Sequence, residues 1–354
     1  MPLIRTASVP IHRHSRSERP RGRGASRRLV ALGGGTGLPT VLRGLKGWLF
    51  PSGRRRSASR DRHRLTAIVS VADDGGSSGR LRREYGVPPT GDIRNCLLAL
   101  AEDDAALSPV FGFRFAGDGG LGGHSLGNLI LTALCRLEED FFTAVQRAES
   151  LLAARGRVLP ATLQDVSLLA RFADGSSALG ESRIPAARRA IRRVSLVPPA
   201  ARALPEAIEA VERANRIVIG PGSLYTSLIP ILLVPDLAET IARTRARVVL
   251  IMNLMTEWGE TDGYDGADVL LALRRHSPGL PIHDVLINTT PIPAGLAQRY
   301  AAAGSAPIRV DARQIRSLGC RPIERDLLGA GLTVRHDPEK LARAILEPAP
   351  GSWS

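Results

Sequence analysis

Short apolar runs alternate with runs of helical periodicity along most of this chain. The run Arg28–Leu32 predicts a strand, and Leu38–Lys46 after it carries apolar residues at helical spacing. The run Leu65–Ala72 is continuously apolar and rich in β-branched residues, which predicts a second strand buried on both faces. Strands that alternate with helices in this way are typical of a parallel sheet covered on both sides. The pattern therefore predicts an α/β fold with a mostly parallel sheet.

The rest of the chain continues this alternation. The further predicted helices are Ile93–Ala101, Leu126–Leu137, Pro205–Asn215, Leu224–Ile229 and Ala267–His276, and the further predicted strands are Arg216–Ile219, Arg247–Met252 and Val285–Asn288. Asp92 and Ser125 precede the first two of these helices and are suitable N-caps. Residues 157–197 differ, because two strand-like runs there flank the turn pair Asp174-Gly175, which favours a hairpin. We expect a small β insertion over these residues.

Polar loops rich in small residues follow four of the predicted strands. They are residues 33–37, 73–80, 220–223 and 253–262. The carboxyl ends of parallel strands lie at one edge of a sheet, and ligands of open α/β sheets bind outside that edge. The four loops are therefore expected to form one crevice.

The first loop consists of Gly33, Gly34, Gly35, Thr36 and Gly37. Its amide groups are closely spaced, carry almost no side chains and precede a helix, so the loop either cradles a phosphate or makes a tight turn. The dinucleotide-binding motif G-x-G-x-x-G is incomplete here, because Thr40 stands at the position of its third glycine. A nicotinamide dehydrogenase is therefore disfavoured.

The second loop begins with Asp73 and Asp74. Acidic residues at the end of the second strand of such a sheet accept hydrogen bonds from ribose hydroxyls or hold Mg²⁺ beside a phosphate. The structural alternative is that one of them caps the next turn. Ser77, Ser78 and Arg80 follow, and this composition suits a phosphate or a sugar better than a core.

Further polar clusters open other predicted helices. They contain Asp92, Arg94 and Asn95, then His124 and Asn128, and then Gly220, Gly222 and Ser223. The first two clusters either cap their helices or bind an anion. The third lacks a G-x-S-x-G elbow, which leaves an esterase triad unsupported and favours anion binding.

The net charge of +14 does not lie in the body of the chain. Residues 1–28 carry +7 and residues 29–64 carry another +7, so the remaining residues are neutral. This weakens the hypothesis of a nucleic-acid-binding module, which the scarcity of aromatic residues also disfavours. Only Lys46 and Lys340 are lysines, and no phosphate loop of the G-x-x-x-x-G-K-[ST] type is present.

Cysteine usage and hydropathy bear on location and organisation. Cys96, Cys135 and Cys320 are isolated, which supports neither a disulfide framework nor a zinc site and predicts a reducing cytoplasm. No apolar run approaches the ~18 residues of a membrane span. We expect a disordered basic tail over residues 1–28, a single domain over 29–345 and a short C-terminal tail over 346–354.

Six motifs in order resemble the gluconeogenesis factor family, the bacterial branch of the superfamily that includes 2-phospho-L-lactate transferase. They are GGGTGLPTVLRGLK (33–46), VADDGGSSGRLR (71–82), GDIRNC (91–96), GHSLGNLIL (123–131), GPGSLYTSLIP (220–230) and NLMTEWGETDGYDGADVL (253–270). The resemblance implies a Rossmann-like three-layer α/β/α fold, a cytoplasmic homo-oligomer and a nucleotide-sugar ligand of the UDP-N-acetylglucosamine kind. It also implies a regulatory role that links carbon metabolism to cell-wall synthesis and cell shape, with a protein partner that reads the ligand-bound state.

The resemblance also assigns site residues. The first glycine loop with Asp73 and Asp74 would contact the nucleotide, and Ser77, Ser78 and Arg80 would line the phosphates. Tyr300 and the Arg335-His336-Asp337 stretch would close over the sugar. The crevice wall would be completed by Asp92, Arg94, Asn95, His124 and Asn128, and the ligand-binding set also includes Gly220, Gly222, Ser223 and Asn253. Asp74 would hold a Mg²⁺ ion if one is used. The alternative implied function is a phosphotransferase like 2-phospho-L-lactate transferase, with Asp73 or Asp74 at its catalytic centre. The chain departs from the family at Glu257-Trp258 and at Val269, where the family usually has Gln-Pro and His.

Overall fold

The computed structural model describes residues 27–51, 59–102 and 105–347. The strands are β1 Leu29–Gly33, β2 Leu65–Val69, β3 Arg157–Pro160, β4 Ser167–Phe172, β5 Ser177–Leu179, β6 Ile191–Val197, β7 Arg216–Ile219, β8 Arg247–Ile251, β9 Ile282–Asn288 and β10 Arg321–Arg325. Seven of them form one sheet in the order β10-β9-β8-β7-β1-β2-β3. Every neighbouring pair in this sheet is parallel. The prediction of a mostly parallel sheet is confirmed.

Helices cover both faces of this sheet. They are α1 Gly37–Leu49, α2 Gly76–Tyr85, α3 Gly91–Leu100, α4 Ser108–Gly112, α5 Leu126–Leu137, α6 Phe141–Leu151, α7 Arg183–Ala186, α8 Pro205–Glu212, α9 Ile229–Leu232, α10 Pro235–Ala242, α11 Gly266–His276, α12 Ala294–Ala302, α13 Ala312–Ser317 and α14 Pro338–Leu346. On one face α1 packs against α3 and α14, and on the other α8, α9, α10 and α11 form a continuous layer. All residues of β1 and β2 are buried, which explains why both strands read as unbroken apolar runs.

The small insertion is a three-stranded antiparallel sheet of order β5-β4-β6. Its predicted boundary was wrong at the start, because residues 157–160 form β3 and pair with β2 at the edge of the main sheet. The small sheet lies on the same side as α9 and α11, since the ring of His276 in α11 accepts a hydrogen bond from the Val194 amide in β6 at 3.0 Å.

Two local predictions are corrected by the helix starts. Helix α2 begins at Gly76, so residues 76–80 are the first turn of a helix and not a loop. Asp92 is not an N-cap, because α3 begins at Gly91 and its N-cap is Thr90. The Asp92 carboxylate instead accepts a hydrogen bond from the Gly35 amide. Ser125 is confirmed as the N-cap of α5, since its hydroxyl accepts a hydrogen bond from the Asn128 amide.

The predicted tails lie largely outside the described ranges, which leave out residues 1–26 and 348–354. The described ranges also leave out residues 52–58 of the arginine-rich segment 51–64. The end of that segment, Ser59–Arg64, is a short 3₁₀ helix. Within the described ranges no single helix has both the length and the apolarity to cross a membrane, and the bent pair 224–232 and 235–242 meets that test only jointly.

The packing of α1 on α14 depends on a glycine. A Cβ atom at Gly44 would collide with the carbonyl oxygen of Pro338, which is backbone and cannot rotate away. We therefore expect Gly44→Ala to lower the free energy of unfolding by about 1–3 kcal/mol, measured by urea denaturation. The matched control is Gly295→Ala, because Gly295 also lies in a helix but its Cβ would meet open space. Equal effects of the two substitutions would contradict this account of the packing.

Candidate functional site

The order of the strands creates a crevice beside β1. The chain runs from β1 to β2 in one direction across the sheet and from β7 to β8 in the other, so the helices that follow β1 and β7 lie on opposite faces. The loops after these two neighbouring strands consequently diverge. A cleft of about 260 Å³ lies between them. It is lined by Gly35, Thr36, Gly37, Thr40, Pro221, Gly222, Ser223, residues 253–257, Tyr300, Ser305 and residues 334–336.

The two loops touch backbone to backbone at the bottom of the cleft. A Cβ atom at Gly37 would overlap the carbonyl oxygen of Pro221, so only glycine permits this approach. The Asn253 side chain fixes the second loop, because its Oδ1 accepts from the Gly222 amide at 3.1 Å and its Nδ2 donates to the Gly222 carbonyl at 2.8 Å. The first loop turns through Gly35, whose φ of +60° favours glycine. The amides of both loops are thereby held at the cleft.

Two arginines stand beside the same cleft. Arg335 lines it, and Arg43 lies on α1, one turn from Thr40 of the lining. Burial and repulsion from Arg335 lower the pKa of Arg43, which places the two guanidinium groups within electrostatic reach of each other. Among the ion pairs formed by the described residues, neither arginine has a carboxylate partner. The lining also holds the carboxyl group of Glu257, whose pKa burial raises. The two arginines therefore supply positive charge beside the cleft that a bound anion would neutralise.

A buried histidine completes this wall. His336 lines the cleft and is only 8% exposed, yet its Nε2 atom has no hydrogen-bond partner in the described structure. Burial lowers the pKa of His336 to about 4, so the ring is neutral near pH 7. Tyr300 holds this segment in place, because its hydroxyl accepts a hydrogen bond from the Val334 amide at 3.2 Å. Because Nε2 itself has almost no accessible surface, it lies behind the surface of the cleft.

On the other side of the glycine loop lie two acidic residues. Asp92 accepts a hydrogen bond from the Gly35 amide at 2.7 Å, and a Cβ atom at Gly34 would come within 2.6 Å of the same carboxylate. Burial, opposed by that hydrogen bond but assisted by repulsion from Asp73, raises the pKa of Asp92 to about 6. Asp73 accepts from the Gly75 amide at 2.8 Å, and burial raises its pKa as well. Asp92 thus positions the glycine loop from behind.

Asp74 faces away from this pair and binds the insertion. Its Oδ1 accepts a hydrogen bond from the Ser182 amide at 2.9 Å, and its Oδ2 lies so close to Gly180 that a side chain there would collide with it. No group of three or more His, Cys, Asp or Glu side chains that could hold a metal ion occurs in residues 27–51, 59–102 and 105–347. The residues present therefore do not form a Mg²⁺ site around Asp74 by themselves. A metal ion would need oxygen atoms from a bound ligand.

A buried polar network extends from the start of α2. The Ser77 hydroxyl lies 2.9 Å from Nδ1 of His124 and accepts from Nδ2 of Asn128 at 3.0 Å. Arg94 donates to Oδ1 of Asn128 at 3.1 Å and also to the hydroxyl of Ser125. Burial lowers the pKa of His124, and the tautomer of its ring decides which of the two groups donates in the hydrogen bond to Ser77. The helices α2, α3 and α5 are joined by this network.

The structure thus separates the predicted site residues into groups. Gly35, Thr36, Gly37, Gly222, Ser223, Asn253, Tyr300 and Arg335 line the cleft. Asp73, Ser78 and Asp92 lie behind the glycine loop, where Gly34 faces Asp92, and the buried network contains Ser77, Arg94, Asn95, His124 and Asn128. Gly33 ends β1, Gly220 follows β7, Asp74 binds the insertion, and Arg80 donates to the Gly122 carbonyl. The four loops meet at one edge of the sheet, as the strand order requires.

Two carboxylates near this edge escaped the sequence reasoning. Burial raises the pKa of Glu181 to about 8, and repulsion from Asp73 and Glu260 adds to the effect. Burial raises the pKa of Glu260 to about 7, and its Oε2 accepts from the Tyr225 amide at 3.1 Å. Glu260 lies in a loop that was expected to reach the crevice, so its position could have been noted. Glu181 comes from the small insertion, and no local sequence pattern indicates that it lies near Asp73 and Asp92.

Comparison with known proteins bears on this arrangement. A family model described as 2-phospho-L-lactate transferase CofD matches residues 29–328. The chain belongs to the CofD family. The resemblance predicted from the motifs is confirmed, since members named gluconeogenesis factor align along almost their whole length. The protein from Halalkalibacterium halodurans is 43% identical over 327 residues, covering 92% of this chain and 98% of that one. The protein from Bacillus subtilis is 40% identical over 328 residues, with the same coverage.

Structural comparison gives the same family. A crystal structure of a protein from Bacillus halodurans has a TM-score of 0.84 with this chain at 43% identity, covering 91% of this chain and 99% of that one.

The two departures from the family pattern have local explanations here. Trp258 lies under the guanidinium group of Arg188, 4.3 Å from the ring centroid, and Val269 is buried in α11.

The position of Asp92 predicts a pH-dependent contribution to stability. Because its pKa rises from 3.8 to about 6 on folding, the folded state favours the protonated form. The stability that this carboxyl supplies is therefore complete below pH ~4 and is lost as the pH rises through about 6. We expect Asp92→Asn, which removes the charge, to raise the free energy of unfolding by roughly 1–2 kcal/mol at pH 8 and to leave it unchanged near pH 4.

The measurement is urea denaturation of wild type and variant at both pH values. Asp140→Asn is the matched control, because Asp140 is the exposed cap of α6. A gain of equal size at both pH values would contradict the assignment to the Asp92 charge.

Proposed function

We propose that this protein binds a nucleotide sugar of the UDP-N-acetylglucosamine kind in the cleft between the loops after β1 and β7. One observation carries the proposal: two glycine-rich loops meet at the cleft, Arg335 lines it and Arg43 stands beside it, and neither arginine has a carboxylate partner among the ion pairs of the described residues. Amides at a helix N-terminus and arginine forks are the groups that bind a pyrophosphate. The position at the switch point of the strand order is where nucleotides bind in open α/β sheets.

Neutral polar groups of the same cleft suit the sugar. Tyr300 and Ser305 contribute hydroxyl groups to the lining. Neutral donors and acceptors match the hydroxyl and amide groups of an N-acetylated sugar better than they match a second charged group. The phosphates would consequently face Arg43 and Arg335, and the sugar would lie against Tyr300 and Ser305.

We further propose that binding serves regulation in the cytoplasm and links carbon metabolism to cell-wall synthesis and cell shape. The relatives named gluconeogenesis factor support the metabolic half of this role. A ligand that bridges the loops of the cleft would order the exposed segment around Arg335, and a protein partner could then read the occupied state. We propose, too, that the protein forms a homo-oligomer.

Calorimetric titration of UDP-N-acetylglucosamine into the full chain, with and without Mg²⁺, tests the ligand. We expect saturable binding to wild type and about tenfold weaker binding to Arg335→Gln, because one charge-assisted contact to a phosphate is lost. Arg313→Gln, which removes an exposed charge from α13, should bind as wild type does. Absence of saturable binding to wild type, or equal weakening in both variants, would refute the proposal.

A phosphotransferase like 2-phospho-L-lactate transferase is the second candidate function. It is favoured by the pairing of Ser77 with His124 and by the raised pKa values of Asp73 and Asp92, since such groups lie near the glycine loop. Chromatography of a mixture with a nucleotide-activated phospholactate and a deazaflavin acceptor tests it. Metal-dependent release of nucleoside monophosphate that Asp73→Asn abolishes would support an enzyme. Recovery of the donor intact would support the regulatory role.

A further inference from the structure

A second cavity lies on the small sheet, away from the cleft. Its volume is about 570 Å³, and its lining comes from β4, β6, the turn after β4 and the end of α11. It is lined by Arg171, Phe172, Gly175, Arg192, Arg193 and Arg275. None of these residues lines the cleft between the loops after β1 and β7. We call this second cavity the arginine pocket.

A break in the strand pairing explains why two consecutive arginines reach the same pocket. Arg171 pairs with Arg193 and Phe172 pairs with Ile191, so Arg192 is an extra residue without an opposite partner. In a regular strand consecutive side chains point to opposite faces, whereas a bulge redirects one of them. The bulge in β6 therefore places both Arg192 and Arg193 on the pocket.

The charge of the arginine pocket is not neutralised by the described protein. None of its four arginines forms an ion pair with another described residue, and the carboxylate of nearby Asp174 is bound to Arg189 at 2.8 Å. Arg171 and Arg193 stand directly opposite each other in the sheet, an arrangement of like charges that destabilises a strand pair. The protein thus holds this pair of like charges together at a cost in stability, which a bound anion would offset.

The base of the arginine pocket is firmly packed. Phe172 is 2% exposed, and the buried His276 below it accepts from the Val194 amide at 3.0 Å and bonds to the Ala272 carbonyl at 2.8 Å. These bonds tie β6 to α11, the two elements that supply Arg193 and Arg275. The guanidinium groups are therefore presented by a rigid base, which reduces the entropy lost when a ligand binds.

We propose that the arginine pocket is a binding site for a small, multiply phosphorylated anion. Arginine forks bind phosphate oxygens in pairs, and four of them around one cavity match a ligand with two or more phosphates. The cavity volume lies in the range of small-molecule sites. A single-stranded nucleic acid fits less well, because Phe172 is the only aromatic residue of the lining and it is too deeply buried to stack on a base.

Titration of sodium tripolyphosphate into the full chain at physiological salt tests the site. We expect saturable binding to wild type that is at least about tenfold weaker in Arg192→Gln/Arg193→Gln and in Arg275→Gln. The matched control is Arg313→Gln/Arg316→Gln, which removes the same charge from exposed positions on α13 and should leave binding unchanged. Because all the substituted arginines are exposed, circular dichroism and the melting temperature should match wild type for every variant.

Several results would overturn the proposal. The first is the absence of saturable binding to wild type, and the second is equal weakening of binding in the α13 control. The third is loss of binding in Arg335→Gln together with full binding in Arg192→Gln/Arg193→Gln, because that result would assign the anion to the cleft beside β1. Stronger binding of a single-stranded oligonucleotide than of tripolyphosphate, with the same dependence on Arg192 and Arg193, would replace the small anion by a nucleic acid. The test does not depend on the identity of the nucleotide sugar.

Discussion

The approach of two backbones beside β1 is the constraint on which the site depends. Gly37 and Pro221 come so close that a single methyl group would separate the loops after β1 and β7. Asn253 and Asp92 brace the two loops from opposite sides by binding the amides of Gly222 and Gly35. The amide groups are thus fixed before any ligand arrives, and their orientation is set by contacts outside the cleft. Preorganisation of this kind lowers the entropy cost of binding an anion at the loops.

Charge is divided across the glycine loop. Carboxylates, of which Asp73 and Asp92 lie nearest, occupy the side toward β2, while Arg43 and Arg335 occupy the side toward α14. Burial and mutual repulsion raise the pKa values of Asp92 and Asp73, so this side opposes an anion less than its number of carboxyl groups suggests. Arg43 and Arg335 have no carboxylate partner among the ion pairs of the described residues. If the proposed nucleotide sugar binds here, this division of charge would orient its phosphates toward the arginines.

The sequence predicted the sheet and its loops well because both depend on local signals. Unbroken apolar runs identify strands such as β1, β2 and β8, and glycine or polar residues after them identify the crevice. Predictions failed where a residue's partner lies far away in the chain. Asp92 resembles a helix cap until its carboxylate is seen to accept a hydrogen bond from the Gly35 amide, 57 positions away in the chain. Glu181 and the bulge at Arg192 depend on tertiary pairing alone, and no local pattern reports such pairing.

The strand order also constrains how the chain can be synthesised. Leu29 pairs with Arg216, so one edge of β1 stays open until β7, the first strand of the second half of the sheet, has left the ribosome. During that interval β1, β2 and β3 can already associate, with an unpaired and highly apolar edge exposed. Pairings between such distant segments form slowly. The free edge of β1, the strand that leads into the glycine loop, is therefore a part of the nascent chain that chaperones would protect.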